Sequence, residues 1–296
     1  MDHSPVNGGA SISLSELLRN INYQEYELSI ICNSNTLISK YERLVSHAEN
    51  LDLALFQHTT AGWWKFSLRG FKEYYLWMVG HFHSMKHIEN LISKFQPDIV
   101  HLNSLTLVFY LKHINKMNIK TVIHVRESVV NGYFGIRKKI IKDAIEKYAD
   151  HVIYICEDNM RSMRTKKGVV IYNPVNIQKF RENIGSNLRS TLKIDKNAPV
   201  ILYVGGLRSI NGPHILAKAF EKIIKHIPDI KILLPFTTYE HSNTMLSIFK
   251  RRVANYLGIY SSRQIIENEI NRLNIKNNVI QSGYVDSIEE YFCITN

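Results

Sequence analysis

A continuous apolar run, a glycine pair and a proline follow one another in Pro199-Val200-Ile201-Leu202-Tyr203-Val204-Gly205-Gly206-Leu207-Arg208-Ser209-Ile210-Asn211-Gly212-Pro213. The run from Pro199 to Val204 does not alternate with polar residues, which predicts a strand buried on both faces, the condition of a parallel sheet covered by helices. Pro213 suits the first helical position, where its missing N–H costs nothing. Beyond it Ile215, Leu216, Ala219, Phe220, Ile223 and Ile224 recur at helical spacing. A strand, a glycine turn and a helix N-terminus together present backbone N–H groups and a positive dipole end, a setting for an anion. Arg208 adds a cation with fork geometry. Gly205, Gly206, Arg208 and Asn211 are therefore candidate residues for binding a diphosphate. An ordinary structural turn with a solvated arginine is the competing reading.

The same alternation extends over the chain. Glu27 to Cys32, Asp98 to Leu102, Lys120 to Val125, His151 to Ile155 and Gly168 to Tyr172 read as strands, and Leu53 to Phe56 as a weaker one. Ile230 to Leu234 and Asn278 to Gln281 follow Pro199 to Val204 in the second half. Longer amphipathic stretches separate them, so the fold class is α/β with parallel sheets. Hydrophobic periodicity weakens between Asn176 and Pro199, dividing the chain into a domain over 1–175, a linker over 176–198 and a domain over 199–296. Near the start, Gly8-Gly9-Ala10 precedes Ser13-Leu14-Ser15-Glu16, which fits a capping box at a helix start. Gly8 and Gly9 are weaker candidates for an anion-binding turn.

The 296 residues are 45% hydrophobic, enough to fill two cores, and no apolar run approaches the ~18 residues of a membrane span. With a polar Met1-Asp2-His3-Ser4-Pro5 start, the chain reads as cytoplasmic. Cys32, Cys156 and Cys293 form no CxxC pair, which argues against a disulfide framework or zinc site and for buried thiols. A net charge of +11 calls for an anionic partner, whether phosphorylated small molecule or anionic membrane surface. Basic runs such as Arg137-Lys138-Lys139, Arg161 to Lys167 and Lys250-Arg251-Arg252 lack the aromatic interleaving of a single-strand platform, so no nucleic acid is expected.

The order of segments narrows the reading. Gly8-Gly9-Ala10 is followed by Pro97-Asp98-Ile99-Val100-His101-Leu102-Asn103-Ser104, His124-Val125-Arg126-Glu127, Ala149-Asp150-His151-Val152-Ile153-Tyr154 and Ile171-Tyr172-Asn173-Pro174-Val175-Asn176. Leu202-Tyr203-Val204-Gly205-Gly206-Leu207 and Asn278-Val279-Ile280-Gln281-Ser282-Gly283-Tyr284-Val285 complete the series. In this order the chain resembles the GT-B glycosyltransferases of family four. The resemblance implies two Rossmann-like doubly wound domains facing a cleft, with a nucleotide sugar, UDP- or GDP-linked, held by the second. It implies a glycan or lipid-linked acceptor held by the first, and transfer with retention in cell-envelope polysaccharide synthesis. It further implies no metal and no cofactor, in keeping with the absence of an Asp-x-Asp sequence, and work on the inner membrane face. His124 matches the family histidine beside the donor sugar. Gly283 and Tyr284 join the donor-binding candidates, and Arg126, Glu127 and Asn173 are candidates for the cleft.

Two departures accompany the resemblance. Basic residues that the family places in the glycine turn read here as Gly206 and Asn211, leaving Arg208 as the cation against the diphosphate. The residues before Gly8 look too polar and Pro-broken for a central first strand, and the family's acidic Glu-x7-Glu segment would fall beyond Asn296. The chain is therefore expected to be a fragment, its second domain incomplete and its activity alone small. The alternative is a non-catalytic remnant or subunit that binds an acidic partner. A GT-B-type epimerase lacks assignable acidic residues.

Overall fold

The computed structural model describes residues 1–4, 8–56, 68–129, 131, 133–180, 187–206, 211–235, 262–283, 285 and 287–295. It forms two compact units, Met1–Val175 and Asn176–Asn296. In the first, chain order is α1 (Gly9–Arg19), β1 (Ser29–Cys32), α2 (Asn35–Tyr41), β2 (His47–Asn50), α3 (Leu68–Phe95) and β3 (Ile99–Leu102). A 3-10 stretch, Leu105–Tyr110, then leads through α4 (Leu111–Lys116) to β4 (Lys120–Val125), α5 (Ile136–Tyr148), β5 (His151–Tyr154), α6 (Glu157–Met163) and β6 (Val169–Val170). The second unit contains α7 (Leu188–Thr191), β7 (Val200–Leu202), α8 (Pro213–His226), β8 (Lys231–Leu233), α9 (Ser262–Arg272), β9 (Val279–Ile280) and α10 (Ile288–Cys293).

Every strand pair is parallel. β1 pairs with β2, β3 to β6 pair in sequence, and β7-β8-β9 make the sheet of the second unit. What joins the first two groups is the N-terminal pair of residues. Asp2 N–H donates to the Ile31 carbonyl (2.8 Å) and Asn33 N–H to the Asp2 carbonyl (3.2 Å), while Asn103 N–H donates to the Met1 carbonyl (3.0 Å) and the Met1 amine to His101 (2.6 Å). Met1-Asp2 thus lies between β1 and β3, giving the order β2, β1, Met1-Asp2, β3, β4, β5, β6. This corrects the expectation that residues before Gly8 supply no part of a central strand. A ladder rung needs only a backbone donor and acceptor. The polarity of Asp2 is offset by its partners, Tyr41, Asn103 and Ser4. The order also creates a reversal point, because the chain leaves Met1-Asp2 toward β1 and returns on the other side as β3. Open α/β sheets bind ligands at such points, beyond the carboxyl ends of the strands.

Helices cover these strands with apolar faces. Leu102, Leu105, Ile123, Val125, Ile141 and Tyr154 form the heart of the first core, and each is fully buried. Ala217, Phe220, Ile232, Leu234 and Ile266 do the same in the second. Burial of one such large apolar side chain contributes roughly 1.5–3 kcal/mol.

Several sequence expectations need correction. Leu53 to Phe56 is not a strand, although Leu53 and Phe56 are buried and Phe56 N–H donates to Thr106. The segment His47–Asn50 is a strand, missed because its polar residues give a sheet edge no hydrophobic signal. α1 begins at Gly9, not at Ser13: Gly8 N–H donates to Ser11 Oγ, which donates back to the Gly8 carbonyl. Residues 187–198, read as part of a linker, pack into the second unit through Leu188, Leu192, Ile194 and Ala198. Cys32 is buried, while Cys156 and Cys293 are half-buried, and the three form no disulfide with one another.

Candidate functional site

β4 is buried along its C-terminal half and ends in His124-Val125, followed by Arg126-Glu127. Alternation along an extended chain puts His124 and Arg126 on one side and the core residue Val125 on the other. Arg126 then gathers neighbouring segments. Its Nε donates to Asn103 Oδ1 (2.8 Å), beyond β3, and its Nη1 to Ser13 Oγ of α1 (2.9 Å) and Asn173 Oδ1 beyond β6 (2.6 Å). Ser13 Oγ also donates to Asn173 Oδ1 (3.0 Å). Behind them the fully buried Asp2 accepts from Asn103 Nδ2 (3.0 Å), Tyr41 OH (2.7 Å) and Ser4 Oγ (3.2 Å).

The state of His124 follows from this arrangement. Arg126 Nη2 lies 3.3 Å from His124 Nδ1, and a guanidinium only donates, so Nδ1 is the acceptor and the ring proton sits on Nε2. Burial, and secondarily the Arg126 charge, pulls the His124 pKa down to about 4, so the ring is neutral near pH 7. Among the described residues its buried Nε2 meets no hydrogen-bond partner. His101, its neighbour at 5.6 Å between ring centres, is held down to about 3, chiefly by burial and then by the Met1 amine. The site therefore offers an oriented, unspent N–H donor beside a guanidinium.

Glu127 turns elsewhere. It accepts from Ser104 Oγ (2.6 Å) and Leu105 N–H (3.3 Å), closing the start of the 3-10 stretch, with His3 Nε2 at 3.7 Å. Gly8 is the extended residue before α1, and the space that a Cβ on Gly9 would occupy is empty within 4 Å, so the first amides of α1 are approachable.

In the second unit the turn after β7 is held by its own residues. Gly206 has φ +65°, and a Cβ on Gly205 would meet Tyr203 Oη at 2.7 Å and Asn211 Cβ at 3.2 Å. Tyr203 Oη donates to the carbonyls of Gly206 (3.1 Å) and Asn211 (2.9 Å), and Asn211 Nδ2 donates to the Gly205 carbonyl. One amide proton of Asn211 is thus spent on the turn itself. Gly283, with φ +77°, follows β9, and beside it the buried Ser282 hydroxyl has no hydrogen-bond partner among the described residues. Arg208 and Tyr284 lie outside the described residues. The structure brings His124, Arg126 and Asn173 into one network. Sequence reasoning missed Asp2, Ser13 and Asn103 as its members; the position of Asn103 just past a strand was the available signal.

A sequence profile described as Glycosyltransferase Family 4 matches residues 7–179, more than half of the chain. The chain belongs to Glycosyltransferase Family 4. Solved structures agree on the fold. HepE of Anabaena, in complex with UDP and glucose, is 16% identical with a TM-score of 0.68, over 99% of this chain and 71% of that one. A glycosyltransferase from Rickettsia africae is 19% identical with a TM-score of 0.63, over 100% of this chain and 70% of that one. Sucrose-phosphate synthase from Thermosynechococcus elongatus is 16% identical with a TM-score of 0.67, over 99% and 70%. No curated protein matches the chain. This family 4 glycosyltransferase has the GT-B fold, and among its described residues no helix is long and apolar enough to cross a membrane.

Proposed function

We propose that this glycosyltransferase moves a sugar from a UDP- or GDP-linked donor to a glycan or lipid-linked acceptor, with retention and without a metal. We further place it on the cytoplasmic face of the membrane, in cell-envelope polysaccharide synthesis. The observation that carries the reading is the neutral His124 with its free Nε2–H, fixed in that tautomer by Arg126. Such a donor suits a sugar hydroxyl, which gains a hydrogen bond without bringing a charge into a buried site. In the reaction the bond from the anomeric carbon to the diphosphate breaks, the acceptor oxygen bonds to that carbon on the same face, and the acceptor proton leaves with the diphosphate. Charge developing on the diphosphate calls for preorganised donors. The amides of the Gly205-Gly206 turn, Arg208 and the hydroxyl of Ser282 are proposed for that task. The complexes of HepE with UDP and UDP-glucose favour UDP as the nucleotide.

UDP-glucose and GDP-mannose hydrolysis by the purified chain, followed by acceptor-dependent transfer, tests this. His124→Gln keeps an N–H donor in an altered position and should lower kcat/KM about 10- to 100-fold, on the order of 1.4–2.7 kcal/mol. Arg126→Lys, which cannot form the fork, should fall at least as far. Wild-type turnover in both variants would refute the assignment.

A further inference from the structure

α3 and α5 of the first unit carry a surface to which none of the residues placed in the site contributes. Phe71, Tyr75, Met78, Val79 and Phe82 of α3 fall at i, i+4, i+7, i+8 and i+11, one stripe of the helix, and all are exposed. Exposed apolar residues in isolation mean little, but a contiguous stripe marks an interaction site. It continues into a groove of about 500 Å³ between α3 and α5, lined by Trp77, Phe82, Phe109, Ile140 and Tyr148. On the far side of α5 lies a second hollow, of about 350 Å³, lined by Lys138, Lys139, Lys142, Arg161 and Arg164. Two carboxylates, Asp143 and Glu157, pair with Lys139 and Arg161. Among the described residues Lys142 and Arg164 have no ion-pair partner.

Phe134 stands at the rim of this basic hollow, next to its lining residue Gly135. It is 99% exposed and has φ +52°. A bulky aromatic residue in the left-handed region is strained, and this one recovers nothing by packing in the protein. Ile136 and Ile140, on the next turns, are exposed as well. Apolar side chains therefore project beside a ring of cations, the combination that partitions into a charged lipid interface. A second copy of the chain is a poor fit, because self-association through this face would bring two basic hollows together. Among the described residues no helix is long and apolar enough to cross a membrane, and a one-sided apolar stripe such as that of α3 suits a helix lying in a surface.

We infer that this face docks on an anionic lipid bilayer, with headgroup phosphates in the hollow between α5 and α6 and Phe134 and the α3 stripe entering the acyl boundary. The inference rests on the peripheral membrane location proposed above and names the surface responsible. It is tested by flotation of the full chain with phosphatidylcholine vesicles, with and without phosphatidylglycerol, at low and high salt. Binding is expected only with phosphatidylglycerol present and weaker at high salt. Phe134→Gly should lower binding about tenfold while its melting temperature holds or rises, because glycine accepts the left-handed backbone. Each cation lost should lower binding about fivefold, and Lys142→Glu with Arg164→Glu should lower it further. Donor hydrolysis in solution should persist in both variants, so failure of docking and failure of the transferase reading are separately visible. Equal binding to both vesicle types, no binding, or wild-type binding by both variants would overturn the inference. So would a concentration-dependent dimer that Phe134→Gly abolishes.

Discussion

The carboxyl ends of β4 and β7 solve the problem of holding a polar loop in two different ways. Beyond β4 the structure is carried by side chains: Arg126 reaches Asn103, Ser13, Asn173 and His124, and Asp2 sits beneath with Tyr41, Asn103 and Ser4. Beyond β7 it is carried by backbone conformation, with Tyr203 and Asn211 binding carbonyl groups of the turn. A network of buried side chains is vulnerable to loss of one partner, because the others are left unsatisfied. A backbone turn is vulnerable to added atoms.

The sharpest way to break the comparison is Asp2→Ala. It strands Tyr41 Oη and Asn103 Nδ2 in the interior and loosens the member that joins β1 to β3. Each buried neutral donor left unsatisfied in this way costs about 1–3 kcal/mol. Urea unfolding checks this, and a loss no larger than that of a typical surface substitution would mean that the network adds little.

The next effect is on acid stability. His124 titrates near 4 and His101 near 3 in the folded chain, against 6.5 when unfolded. Below pH 6.5 the unfolded chain therefore binds protons that the folded chain refuses. Their contribution is fully present above pH 6.5 and is lost as pH falls toward the folded values. Each histidine should add about 1.4 kcal/mol per pH unit to the decline between 6.5 and about 4. His81, also held down to about 4 by burial and then by His113, adds to it. Stability against pH for His101→Gln with His124→Gln should show a shallower slope than wild type. An unchanged slope would show that the two rings are not kept neutral.

Smaller effects belong to the glycine turn. Gly205→Ala pushes a methyl group into Tyr203 and Asn211 and should cost about 1–3 kcal/mol. Gly206→Ala meets only an ordinary contact with Asn211 Nδ2 at 3.9 Å but a positive φ, and should cost about 1 kcal/mol. Reversal of that order in thermal melts would mean that Tyr203 and Asn211 yield readily. The turn would then be held by its φ angles rather than by its clamps.

Local sequence carried much of the architecture. Lys120 to Val125 was legible as a strand to the residue, and α8 as a helix starting at Pro213, because a buried parallel strand and an amphipathic helix each write their surroundings into hydrophobic periodicity. Glycine pairs marked both turns for the same local reason. His124, Arg126 and Asn173 were legible as site candidates through their places in a familiar series.

Other features depended on long-range pairing, which leaves no local trace. Met1-Asp2 became part of the central sheet because β1 and β3 offer it free backbone groups on either side. A polar pair with no periodicity does not announce such neighbours. His47–Asn50 is a strand for the same reason. Ser13 reads locally as a cap, yet tertiary structure turns it toward Arg126 and Asn173, residues more than a hundred positions away. The tautomer of His124 was likewise decided in three dimensions, since it depends on which neighbour donates to which ring nitrogen. Sequence by itself determined the strands, the helices and the residue types available at their ends. Only the tertiary structure decided which of those residues meet, because hydrogen bonding and burial are properties of juxtaposition.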